Sequence, residues 1–254
     1  MTLPRYLTMN ELKFAFTLDL DWASDAVLEY ALSPILKQNI PLTIFLTHNS
    51  EWLISHSVNN HNIELEIHPN FCLNSSHGNS YEAVYNYCNQ LKTERNGFRC
   101  HKYFDVNEIN EYYKSEGYKY SSNICTDLHY VEPFHNRVGL LSIPIFMEDG
   151  GFLLQKHSLA LDTILKKLPT KGIIVFLFHP MHLAFNSSNF DSMRTLKNSI
   201  TIQEYQNISV DTIAKKRNNL FGVNNLLWEL IQWSEKNDIE RVLLKSLINE
   251  KYNA

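Results

Sequence analysis

Residues 12–22 read LKFAFTLDLDW, an apolar run rich in aromatic residues that ends in two acidic residues, Asp19 and Asp21. A short, continuous apolar run bounded by polar residues reads as a strand buried on both faces, the kind found in parallel sheets. Similar runs lie at 42–46, 63–67, 118–121, 140–145 and 173–178. Between them, 24–38 and 80–93 each open on a serine suited to an N-cap and carry apolar residues at helical spacing, and 106–115, 158–168 and 223–237 resemble them. Strand alternating with helix predicts an α/β fold with a parallel sheet covered by helices.

The 254 residues fit one large α/β domain, and no repeat, linker or low-complexity stretch divides them, so 1–254 is expected to be a single domain. Apolar residues make up 44% and the aromatics are 14 Phe, 13 Tyr and 4 Trp, ample for a packed core. A net charge of −4 without a dense Lys/Arg block argues against nucleic acid as a partner. The longest apolar runs are too short to span a bilayer and the first residues lack a signal-peptide core, so the expectation is a soluble, cytoplasmic enzyme without a transmembrane segment. Four cysteines, Cys72, Cys88, Cys100 and Cys125, form no C-x-x-C pair and read as reduced thiols. The polar, weakly patterned stretch 184–219 reads as a lid or an insertion, and 238–251 as an amphipathic helix packed on the barrel.

The residues at the strand ends carry the chemistry. The first strand runs into Asp19-Leu20-Asp21, the third into His68, the short run to Phe98 into Arg99, and the last into His179. In parallel α/β folds, and in barrels above all, ligands and catalytic groups collect at the C-terminal ends of strands, so these residues are expected to form one site. Alternation puts Asp19 and Asp21 on one face, where they would repel unless a divalent cation neutralised one and left the other to work as a base. Capping the helix near Ser24 is the plainer role for Asp21. Pro69 stops the ladder after His68 and leaves its imidazole at a loop mouth, where a metal ligand would sit. His77 can return beside it through a compact loop. One Asp and two His make a common ligand set for zinc or a similar divalent ion. Arg99 can hold the carboxylate of Asp19 or form a surface ion pair. His179 can shuttle a proton, bind the metal, or be a capped core histidine.

The order Asp-x-Asp, His, Arg and Leu-x-His, here Thr17-Leu18-Asp19-Leu20-Asp21, His68-Pro69-Asn70, Arg99-Cys100-His101 and Leu177-Phe178-His179, resembles the polysaccharide deacetylase superfamily (carbohydrate esterase family 4, the NodB homology domain). The His-Pro-Asn-Phe and Phe-His-Pro-Met-His forms are more similar to its divergent WbmS-like subgroup. The resemblance runs from about residue 12 to residue 181 and implies an irregular (β/α)7-type barrel. It implies Asp19 as the base, Asp21, His68 and His77 as metal ligands, Arg99 as the residue orienting the base, and His179 as the acid. The departures are the single residue between the aspartates, Cys72 where H-x-x-x-H has its second histidine, and Cys-His after Arg99. Cys72 is thus an alternative thiolate ligand. Asp149 would support His179, and Asn70 and Trp22 are candidates for contacting substrate. The implied function is a zinc-dependent hydrolase removing an N-acyl group from a sugar in a bacterial surface polysaccharide or its precursor. A metal-dependent amidohydrolase on a non-sugar amide and a silent glycan-binding barrel are the alternatives. The oligomeric state is left open.

Overall fold

In the computed structural model, which describes residues 11–250, β1 (Leu12–Asp19) is the central stave of a parallel barrel. Its alternate residues divide two cores. Phe14, Phe16 and Leu18 join the apolar layer under the helices, while Ala15 joins the cluster that fills the barrel. Thr17 and Asp19 share the inward face with Ala15 and are almost completely buried.

Along the chain follow α1 (Asp25–Lys37), β2 (Leu42–Leu46), α2 (Glu51–Ser57), β3 (Ile63–Ile67), α3 (Tyr81–Cys88), β4 (Gly97–Phe98), α4 (Asn107–Ser115) and β5 (Tyr120–Ser121). Next come β6 (Phe134–His135), β7 (Leu141–Ser142), β8 (Met147–Glu148), α5 (Asp149–Leu154), α6 (Leu161–Leu165) and β9 (Gly172–Phe178). The remainder is α7 (Pro180–Phe185), α8 (Phe190–Asn198), α9 (Ile202–Gln206), α10 (Val210–Lys216), α11 (Val223–Lys236) and β10 (Glu240–Arg241).

The spatial order is β6-β7-β5-β4-β3-β2-β1-β9-β8, parallel except for the β6–β7 pair. One continuous segment, 141–148, closes the circle. Its first end pairs with β5 and its last end with β9. Between them the Ile143 N–H donates to the Ser121 carbonyl (2.8 Å), and the Phe146 N–H donates to the Val175 carbonyl (2.9 Å). The staves among the described residues are therefore β1, β2, β3, β4, β5, the β7–β8 segment and β9, the (β/α)7 arrangement the family resemblance implies. Inside, Gly97 lets the Tyr120 ring lie across β4, because a Cβ there would sit 2.1 Å from that ring.

The structure corrects one expectation about the later part of the chain. Residues 238–250 do not form the amphipathic helix predicted; residue 251 lies outside the described residues. Instead β10 pairs with the start of β1, and a 3-10 turn, Leu244–Asn249, plugs the barrel floor with Leu244 and Leu247. The plug is held by hydrogen bonds a helix would not make, from the Leu244 N–H to Thr43 Oγ1 (3.0 Å) and from the Lys245 N–H to Glu64 Oε2 (3.1 Å). The polar stretch 184–219, read as a lid or an insertion, forms part of the wall of the cleft over the barrel mouth. It folds into α8, α9 and α10, tied down by buried Met193, Leu196, Ile208 and Ile213, and by Ser24 Oγ donating to the Ile208 carbonyl (2.7 Å).

Glu64 and Glu66, two residues apart on β3, both face the barrel floor with no exposure. Burial first, and then the Glu64 carboxyl, push Glu66 up to about 9. Between the ordinary value of 4.5 and about 9 the unfolded chain gives up this proton while the folded chain keeps it, so the group makes stability fall as pH rises. The melting temperature of Glu66→Gln, relative to the parent, is therefore expected to improve steadily from about pH 5 to about pH 9. A flat difference across that range would mean the pair is ionised in the fold.

Candidate active site

At the C-terminal mouth of the barrel the chain makes two turns that sequence pattern does not display. After β1, Asp21 and Trp22 adopt positive φ (46° and 59°), which swings the Asp21 carboxylate back over the mouth. After β4, Lys102 and Tyr103 do the same (both 55°), at the end of the 3-10 turn His101–Tyr103. Non-glycine residues in this region cost free energy, so the surrounding structure must hold these two turns in place. The His68 N–H donates to the Leu46 carbonyl (2.8 Å) and the His101 N–H to the Pro69 carbonyl (2.8 Å), which fixes both histidines at the mouth.

Three side chains converge there. Asp21 Oδ1 lies 3.1 Å from His101 Nδ1 and 3.4 Å from His68 Nε2, and the two imidazole nitrogens are 3.4 Å apart. Tetrahedral ligands about 2.0–2.1 Å from a zinc ion stand roughly 3.3–3.4 Å from one another, so this triangle has the size of one face of such a site. Asp21 Oδ1 is buried and takes no well-formed hydrogen bond. Burial works against the Asp21 charge, but the imidazoles of His101, His68 and His179 outweigh it and hold the carboxyl well below the ordinary range. One carboxylate and two imidazoles, close yet poorly hydrogen-bonded to each other, fit a divalent ion of the zinc type.

Beside this triangle stands Asp19, 3% exposed, with its Oδ2 3.7 Å from His68 Nε2. Its Oδ1 accepts a hydrogen bond from Arg99 Nη1 (2.9 Å). Arg99 is fully buried rather than at a surface, and each of its nitrogens is occupied. Nη1 also donates to Thr17 Oγ1 (3.0 Å), Nε to the Ser122 carbonyl (3.0 Å) and Nη2 to Ser122 Oγ (2.9 Å), while the guanidinium lies 4.2 Å over the Phe45 ring. So fixed a cation leaves Asp19 a single orientation.

Across the mouth, His179 Nδ1 is 2.6 Å from Asp149 Oδ1, and the His179 backbone N–H donates to Asp149 Oδ2 (2.7 Å). Its Nε2 faces inward, 3.7 Å from Asp21 Oδ2. Burial disfavours the imidazolium, but the carboxylates of Asp149, Asp21 and Glu148 outweigh it and push His179 up to about 10. His182 is the opposite case: burial pushes it down to about 4, so it stays neutral.

The structure thus brings Asp19, Asp21, His68, Arg99, Asp149 and His179 to one place, and it places His77 differently from the sequence expectation. His77 Nδ1 accepts the Asn70 N–H (3.1 Å) and its ring stacks on Tyr87 (4.2 Å between centroids), outside the triangle. The corner expected of it is filled by His101. Trp22 sits edge-on against both His77 and His101. Cys72, the alternative ligand, is likewise outside the triangle; its N–H donates to Asn70 Oδ1 (3.0 Å). His101 was legible only through its neighbour, since alternation after β4 puts it on the same face as Arg99.

Over the triangle opens a cleft of about 480 Å³, lined on one side by Trp22, Asn70 and Cys72 and on the other by Lys197, Thr201 and Tyr205. A larger, open groove of about 860 Å³ lies between α6 and α11, far from these groups in the fold, and carries none of them.

The model of the WbmS-like polysaccharide deacetylase family matches residues 16–197. Among solved structures, a candidate polysaccharide deacetylase of Bordetella bronchiseptica involved in O-antigen biosynthesis is 20% identical, with a TM-score of 0.76 over 89% of this chain and 98% of that one. A candidate polysaccharide deacetylase of Mycobacterium smegmatis has a TM-score of 0.46 at 13% identity, covering 100% of this chain and 98% of that one. The 4-α-glucanotransferase of Thermococcus litoralis has a TM-score of 0.47 at 10% identity, covering 92% of this chain and 37% of that one. No curated protein matches the sequence. Among the described residues, no helix is long and apolar enough to cross a membrane.

Proposed function

Since the chain belongs to the WbmS-like polysaccharide deacetylase family, we propose that it is a divalent-metal-dependent hydrolase that removes an N-acyl group, acetyl in the simplest case, from a sugar of a bacterial surface polysaccharide or its precursor. The observation that carries this reading is the meeting, at one barrel mouth, of the Asp21–His68–His101 triangle, the Asp19–Arg99 pair and the His179–Asp149 pair.

Asp21, His68 and His101 would hold the ion, with zinc the best match to one carboxylate and two imidazoles. The ion, when bound, supplies Lewis acidity toward a carbonyl and toward water. Asp19 accepts a proton from the water that attacks the acyl carbon, and Arg99 keeps its carboxylate aimed at that water. As the C–N bond breaks, the proton on His179 Nε2 goes to the departing amine, a poor leaving group while unprotonated. Asp149 holds His179 in the orientation that presents Nε2. Asn70 and Trp22 contact the sugar. The products are a carboxylate and an amino sugar.

The test is release of acetate from N-acetylated sugars by the purified protein. Turnover should require a divalent ion, disappear on chelation and return with added zinc. Absence of acyl release from every N-acylated sugar offered to the zinc-supplemented protein would overturn the proposal.

A further inference from the structure

The wall of the cleft opposite Trp22 comes from α8 and α9 and the turn between them. Most of the cleft lining is neutral and polar or aromatic, the chemistry that meets sugar hydroxyls and ring faces. Among the lining residues Lys197, on α8, is the one Lys or Arg. Its side chain is exposed at the cleft. Its Nζ lies 5.4 Å from the centroid of the Tyr205 ring, a cation–π contact that holds the ammonium against α9.

Among the described residues no carboxylate forms an ion pair with Lys197. Lys197 lines the same cleft as Asp21 and His101, two corners of the triangle. Tyr205 lines that cleft as well, so the ring that steers Lys197 shares it with the metal triangle. A cation at a cleft wall, steered by an aromatic ring, attracts an anion, and it discriminates against ligands that lack one.

Resting on the deacylase reading of the same mouth, we infer that Lys197, oriented by the Tyr205 ring, selects an N-acylated sugar that carries an anionic group, either a phosphate or a ring carboxylate. Lys197 is thus a specificity residue and Tyr205 its positioning residue. The acyl transfer is unchanged by this assignment; what changes is which sugar is held over the triangle.

The experiment measures binding by calorimetry and acetate release for three probes: N-acetylglucosamine, its 1-phosphate, and N-acetylglucosaminuronic acid. The zinc-loaded parent should favour one or both anionic probes over the neutral one. Lys197→Gln should weaken anionic binding by roughly tenfold to a hundredfold, the range of a charge-assisted hydrogen bond, and leave the neutral sugar within about threefold. Tyr205→Phe keeps the ring and should keep the preference, whereas Tyr205→Ala should follow Lys197→Gln. Preference for the phosphate or for the uronate identifies the source of the charge. A parent that binds all three alike, or a Lys197→Gln variant that keeps its preference, overturns the inference. Anion-selective binding lost in Lys197→Gln without acetate release from any probe would uphold this inference while the deacylase proposal falls.

Discussion

Asp19→Asn should lower turnover by roughly 10²-fold to 10⁴-fold while leaving the fold and the bound metal in place. The amide has the shape of the carboxylate, and its oxygen can still accept from Arg99 Nη1, which also keeps its bonds to Thr17 and Ser122. What is lost is the proton acceptor. The substitution also leaves a buried guanidinium without its counter-charge, a change that costs about 3–5 kcal/mol in other buried pairs, so the melting temperature should fall as well. The two effects separate cleanly when activity is measured well below the transition and metal content is measured on the same sample. Activity within tenfold of the parent, in a folded and metal-loaded variant, would remove Asp19 from the role of base.

His68→Ala and His101→Ala should each lower zinc affinity by more than the roughly 10–100-fold that loss of an outer hydrogen-bond partner costs, because each removes a donor atom of the triangle itself. Activity at limiting zinc should fall with the affinity. His77→Ala is the informative control. His77 touches the loop that carries His68 by accepting the Asn70 N–H, so its loss should loosen that loop and reduce affinity by no more than about tenfold. Zinc titration by competition with a chromophoric chelator reads all three. Retention of tight zinc in His101→Ala together with its loss in His77→Ala would reverse the assignment of the third corner.

The residues at strand ends were legible because they follow from local pattern. Asp19, His68, Arg99 and His179 each close an apolar run, and parallel strands deliver their ends to one face of the sheet. The staves β1, β2, β3 and β9 are long enough to display that pattern, and they are where the sequence expected them. The short staves β4, β5 and β7 also fall on runs the sequence marked, whereas β8 and the closure did not show, since the closure depends on hydrogen bonds at both ends of one segment. The third ligand position was obscured for a different reason. A histidine nine residues from His68 is near it in sequence, but the loop 69–78 turns His77 back toward Asn70, while a parallel neighbour strand brings His101 across 33 residues. Sequence distance misleads wherever a β-α-β crossover supplies the neighbour. The stretch 184–219 hid its helices because three short ones, α8 and α10 with a narrow buried face and α9 with none, average to a polar segment.

The whole mechanism depends on Asp21, His68 and His101 holding the catalytic ion. An anomalous difference map, recorded on either side of the zinc absorption edge from crystals of the zinc-loaded protein, locates that ion directly. One strong peak is expected within bonding distance of Asp21 Oδ1, His68 Nε2 and His101 Nδ1. A peak bonded to His77 or Cys72 in place of His101, or no peak at the barrel mouth from fully loaded protein, would refute that ligand set.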